Sequence, residues 1–245
     1  MITTATEIGK EKLRVLLVPL IIAATISLPY FKAESANIIG LQILSTSYVD
    51  GELKYQLLTL GLAGIILLLT FALGPRSFKK FFSVGKINAP VEPVKLIGLN
   101  PKPGEGWVQV GRNFAIIISA VTFVFIYFQL IRGNSIEAQH LGYLPWVLVF
   151  ALSNSFVEEM ITRFGVVSAL DGLISKEYVY LTSATVFGLA HYWGVPGGIP
   201  GVLLAGFLGW LLAKSIGETG GIFWAWLIHF LQDIIIFTGL FFVNL

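Results

Sequence analysis

The chain has 245 residues, of which 56% are hydrophobic, 13% aromatic and only 12% charged, with a mean hydropathy of +0.82. A water-soluble globule could not bury that much apolar surface, whereas a bilayer accepts it. The lack of cysteine excludes disulfides, thiolate catalysis and cysteine-ligated zinc, and a formal net charge of +2 is too small to point to nucleic acid.

Crossing a hydrocarbon core of about 30 Å takes roughly 20 apolar residues. Apolar runs near that length occur at 13–31, 57–74, 114–131, 143–161, 178–192, 201–215 and 222–243. They predict an all-α protein, a polytopic membrane helical bundle with about seven transmembrane helices. The first run follows Lys10, Lys12 and Arg14. It reads as an uncleaved helix rather than a signal peptide cut near Ala33-Glu34-Ser35-Ala36, because it exceeds the usual h-region of about 7 to 15 residues. The stretch from Pro75 to Arg112 contains prolines 75, 90, 93, 101 and 103 and reads as a loop, with Trp107 and its basic residues resting on headgroups.

An N-terminus in the cytoplasm puts thirteen Lys and Arg on cytoplasmic segments and three on the other side, as the positive-inside bias requires. The expected location is therefore an integral membrane, the cell (inner) membrane of a prokaryote, with the C-terminus outside. The chain divides into a plain N-terminal region, 1–142, with its cytoplasmic loop at 75–112, and a loaded region, 143–245. The apolar cores of the first three runs hold no ionisable residue.

The loaded region holds Glu158, Glu159, Arg163, His191, His229 and Asp233. An ionisable side chain at the bilayer centre costs about 2.5 to 3.5 kcal/mol on insertion scales, so six of them must face one another or water. Glu159 and Arg163 are four apart on one predicted helix, and His229 and Asp233 are four apart on another, so each pair shares a face. Glu158 is turned about 100° from Glu159, so one carboxyl can point at a common centre while the other braces the arginine. Phe187, four residues before His191, offers the histidine an aromatic neighbour. Small residues nearby, among them Ser155, Gly188, Ala205 and Gly209, let the backbones approach closely. The Gly194–Gly201 segment reads as an irregular, re-entrant connection.

Three patterns in order, Glu158-Glu159-Met-Ile-Thr-Arg163, Phe187-Gly-Leu-Ala-His191 and His229-Phe-Leu-Gln-Asp233, resemble the EExxxR, FxxxH and HxxxN/D motifs. These belong to the family of type II CAAX prenyl endopeptidases, lysostaphin-resistance-like proteins and bacteriocin-immunity proteins. The resemblance covers about 143–243 and implies an intramembrane endopeptidase acting on a membrane-associated protein or peptide, lipidated in some family members. It implies that Glu158 takes a proton from water, His191 helps hold that water, and His229 with Asp233 stabilises the oxyanion. Desolvation of a carboxyl suits it to act as a general base near neutral pH. An ionised Asp233 could not donate to an oxyanion as Asn would, so it is protonated there or orients His229 instead. No cofactor is expected, with zinc held by two histidines and a carboxylate as the alternative mechanism.

Simple geometry raises one difficulty. His191 lies about 20 Å from the start of its predicted helix and His229 about 10 Å into its own, so upright parallel helices would leave them at different depths. Tilt, or a helix that begins beyond the membrane boundary, closes the gap. The competing functions are a proton-coupled carrier, which needs a pathway through the membrane, and an immunity or scaffold protein that binds without cutting.

Overall fold

The computed structural model describes residues 13–134 and 137–244. Lys10 and Lys12, counted above with the basic residues, lie outside them. Among the described residues there are nine α-helices. They are α1 (Leu17–Ile38), α2 (Ser47–Leu73), α3 (Pro75–Phe81), α4 (Trp107–Ile126), α5 (Leu144–Glu158), α6 (Gly165–Leu170), α7 (Lys176–Ala190), α8 (Gly198–Thr219) and α9 (Phe223–Asn244). A π-helical turn, Glu159–Phe164, joins α5 to α6 in one continuous span, and another, Tyr127–Ile131, extends α4.

Among the described residues six helical spans are long and apolar enough to cross a membrane: Arg14–Ile38, Ser47–Leu73, Trp107–Ile131, His140–Leu170, Gly198–Thr219 and Phe223–Asn244. The protein is an integral membrane protein with an all-helical bundle. The seventh expected span is α7, whose 15 residues reach only about 22 Å. It nevertheless packs along α8, antiparallel to it. Tyr180 meets Gly217, Phe187 meets Gly209, and Gly188 faces Val202 and Gly206 so closely that a Cβ at Gly188 would lie 2.9 Å from the Val202 carbonyl oxygen. The α8 helix begins at Gly198, inside the segment expected to be irregular, because Pro200 falls in its first turn, where no N–H is needed.

The connections gather at two ends. At one, the Arg14 guanidinium donates to Ser77 Oγ and to the carbonyls of Ser168 and Asp171, Lys176 pairs with Glu92, and Ile222 N–H donates to the Ser83 carbonyl. The N-terminus of α1, the 74–106 loop, the α6–α7 turn and the α8–α9 turn thus meet there. The opposite end joins the 39–46 loop to α2 through the Asp50 carboxylate, which accepts from Ile43 and Leu44 N–H, and stacks His140 on Phe242.

The stretch expected as a loop from Pro75 to Arg112 is helical at Pro75–Phe81 and from Trp107 onward, and two more points differ. Trp107 does not rest on headgroups: it is fully buried, with its indole N–H donating to Glu218 Oε2 at 2.8 Å. The helices α1 and α2 continue past their apolar runs to include Lys32, Asp50, Glu52 and Lys54, so the N-terminal region does bury charge. Asp50 pairs with Lys54 at 2.7 Å and Lys32 with Glu52, which lets these ends lengthen inside the fold.

Candidate active site

Three helical segments, the α5–α6 span, α7 and α9, bring their ionisable residues to one centre. Glu159 is fully buried, and its Oε1 accepts from His229 Nδ1 at 2.7 Å and lies 3.3 Å from Arg163 Nε. A single carboxylate therefore holds an arginine on its own helix and a histidine on α9. The Arg163 Nη1 donates to Thr162 Oγ1 at 2.7 Å, while the flat guanidinium lies 3.3 Å from the centre of the Phe187 ring. Phe187 is packed on its other sides by His191, at a ring separation of 4.1 Å, and edge-on by His229, at 5.6 Å. Quadrupole attraction and burial favour this stack.

Because Nδ1 of His229 is used by Glu159, its Nε2 turns toward Glu158 Oε2, 3.5 Å away, and Asp233 Oδ1, 3.6 Å away. Both separations exceed a good N–H···O distance. His191 donates from Nδ1 to the Phe187 carbonyl at 2.9 Å, which leaves its Nε2 free. Glu158, His191, His229 and Asp233 all line one cavity of about 660 Å³, whereas Glu159 and Arg163 stand behind it.

The depth difficulty resolves in two ways. The half-exposed Lys176 at the start of α7 stands among the loops, paired with Glu92, so this helix begins beyond the main bundle. The His191 ring also leans back over the preceding turn onto Phe187, as helical side chains do.

Some participants carried no signal in the motifs. Asn154 Nδ2 donates to Glu158 Oε1 and to Asp233 Oδ2, each at 3.1 Å, so one amide bridges two carboxyls. Its spacing, four residues before Glu158, is the only hint in the sequence. Gln232 bonds Thr122 and Ser119 and thereby ties α9 to α4 beside the site. Tyr55 and Lys32 reach the cavity from α2 and α1, as do Thr25 and Pro29. Pro29 has no N–H to offer the Thr25 carbonyl, so the α1 ladder is broken at the cavity wall.

A catalytic zinc needs three protein ligands with lone pairs directed at one point. Among the described residues no three His, Asp or Glu side chains are arranged to hold a metal ion. His229 Nδ1 is already bound to Glu159. The described residues as placed do not present a zinc ligand set.

The bundle and its central cluster define a membrane protein with a group of titratable side chains on an internal cavity. Residues 139–235 match the family described as type II CAAX prenyl endopeptidase, Rce1-like. Over that span the chain is similar to a family of membrane peptidases, the same family that its three motifs resemble, and the matched residues include every side chain of the centre from Asn154 to Asp233. No curated protein and no solved structure matches the chain.

Proposed function

We propose that the chain is an intramembrane endopeptidase of the glutamate type. Glu158, His191, His229 and Asp233 hydrolyse a peptide bond in a membrane-associated protein or peptide, and Glu159 and Arg163 hold the frame. One observation carries this reading: Glu158 Oε2, His229 Nε2 and Asp233 Oδ1 face one another at 3.5 and 3.6 Å on a cavity wall, aligned but not bonded. Groups so spaced do not saturate one another, and a water in the cavity beside them can bond to more than one of them.

Glu158 Oε2 accepts a proton from the water as its oxygen attacks the carbonyl carbon, and His191 Nε2 holds the water's second hydrogen. The oxyanion forms toward His229 Nε2 and Asp233, each donating in its protonated form. Glu158 then passes its proton to the leaving amine, and the C–N bond breaks. Glu159 keeps the His229 ring in one orientation by holding Nδ1–H. The walls above the site are apolar, including Leu28, Ile117, Val121, Leu204 and Phe237, which suits a hydrophobic peptide or an alkyl chain attached to one.

Purified full-length protein in lipid vesicles should cut an internally quenched peptide, offered both with and without a prenylated cysteine near its free C-terminus. Glu158→Gln, which keeps the shape but not the basicity, should lose about 100-fold or more in rate. Near-normal cleavage by Glu158→Gln would remove Glu158 from the role of base.

A further inference from the structure

We infer that the active-site cavity opens on the extracytoplasmic face, so that its substrate is a polypeptide segment presented from outside the membrane rather than a cytosolic protein. The substrate clause rests on the proteolytic reading above, and the sidedness does not.

The inference joins two independent observations. The first is where the cavity lies along the bundle. From α1, whose N-terminus is at the Arg14 end, the lining takes only residues of the later half, from Thr25 to Ala33. From α8, which runs the other way, it takes the early half, Gly201 to Leu208. From α9 it takes His229 to Leu240, and from the loops only Trp193 to Pro196. No residue of the 74–106 loop or of the α6–α7 and α8–α9 turns lines it. The rim carries Trp193, which is 76% exposed, and Lys32, which pairs with Glu52 above Tyr55.

The Arg14 end, in contrast, is plugged. Below Glu159 the residues Met160 to Val166 are all fully buried, and Phe164 packs against Phe78 and Phe82 at ring separations of 5.2 and 5.5 Å. Ser183 Oγ closes the gap between α7 and the π turn by donating to the Thr162 carbonyl. A peptide could not pass this floor without unpacking it.

The second observation is charge. Arg163, counted with the loops from sequence, is inside the bundle. With it removed, ten basic residues among the described ones, from Arg14 to Lys214, stand on segments that lead to the plugged end, against Lys32, Lys54 and Arg132 at the open one. Short loops rich in Lys and Arg stay in the cytoplasm during insertion. The plugged end is therefore cytoplasmic, and the cavity faces out.

The natural absence of cysteine makes the test direct. Single cysteines are placed at the rim (Trp193→Cys), on the same end away from the cavity (Leu41→Cys), and on the basic loop (Leu96→Cys), all exposed positions. Intact bacterial cells are treated with a membrane-impermeant maleimide before or after lysis. Trp193→Cys and Leu41→Cys should label fully in intact cells, and Leu96→Cys only after lysis. A second arm adds a quenched peptide too polar to cross the membrane. Intact cells carrying the parent protein should cut it, Glu158→Gln cells should not, and inside-out vesicles should be inactive.

The reverse labelling pattern, equal labelling of both ends, or labelling of neither end before lysis overturns the sidedness, whatever the protease activity. Correct labelling with cleavage confined to inside-out vesicles overturns the substrate assignment. Correct labelling with no cleavage in any orientation removes the proteolytic reading and the substrate clause with it, and leaves the orientation of the cavity standing.

Discussion

Two buried ion pairs at the same spacing have opposite surroundings. Lys214 and Glu218, four apart on α8, are closed: Glu218 Oε1 accepts from Lys214 and from Glu92 N–H, and Oε2 accepts from the Trp107 indole. Neither side chain lines the cavity of the central cluster. Glu159 and Arg163, also four apart, brace a histidine whose far nitrogen is held 3.5 and 3.6 Å from two further carboxyls in a cavity wall. Burial of charge is thus not what separates a candidate site from a fastening. Leaving aligned groups unsaturated next to open space is.

The comparison can be broken most sharply at Arg163. Arg163→Ala strands Glu159 at zero exposure and removes the plate stacked on Phe187. A loss of about 3 to 5 kcal/mol is expected, seen as a lower melting temperature in detergent together with lost cleavage. Unchanged stability would mean that the pair is hydrated and braces little.

Asn154→Leu should come next, because one amide holds Glu158 Oε1 and Asp233 Oδ2 and so leaves Oε2, the oxygen to which the proposed mechanism gives the proton, turned toward His229. A displaced base loses up to about 100-fold. The loss should fall on kcat with KM nearly unchanged, and kinetics on the vesicle-bound protein would show it. A change in KM alone would assign Asn154 to substrate binding.

Glu218→Gln tests the closed pair. It should lower stability by about 1.5 to 3 kcal/mol, the range for a hydrogen bond to a charged group, and leave kcat per folded molecule unaltered. Lost activity in a stable Glu218→Gln protein would join the two regions after all.

The smallest expected effect is that of a strong chelator: on the proposed mechanism, in which Glu158 supplies the basicity, it should leave the rate of the purified protein unchanged. Metal analysis that finds stoichiometric zinc, with activity lost on its removal and restored on return, would replace the glutamate mechanism.

What could be read from the sequence was what periodicity and cost encode. Apolar runs marked the spans, and the price of intramembrane charge singled out the residues from Glu158 to Asp233, which the fold brings together around Phe187. Lys32 and Glu52 were missed because each looks like a solvated end of an apolar run when taken singly. Only their cross-helix pairing, with Lys54 on Asp50 beside it, lets α1 and α2 extend. Trp107 was misplaced for a similar reason. An indole near a basic loop looks interfacial until a partner such as Glu218, 111 residues away, is seen to accept its N–H. Asn154 escaped because a neutral amide costs little to bury and matches no motif.

The π turn at Glu159–Phe164 has a consequence for how this helix is counted. A π turn holds one residue more than the α-helical path it replaces, so the span from α5 to α6 is an α-helix with a single residue absorbed inside it. Heptad or 3.6-residue phase counted forward from Phe150 is therefore out of step after Phe164. The surplus falls on the stretch that carries Glu159 and Arg163, where it can turn those two side chains without rotating the flanks that pack against α1, α2 and α9.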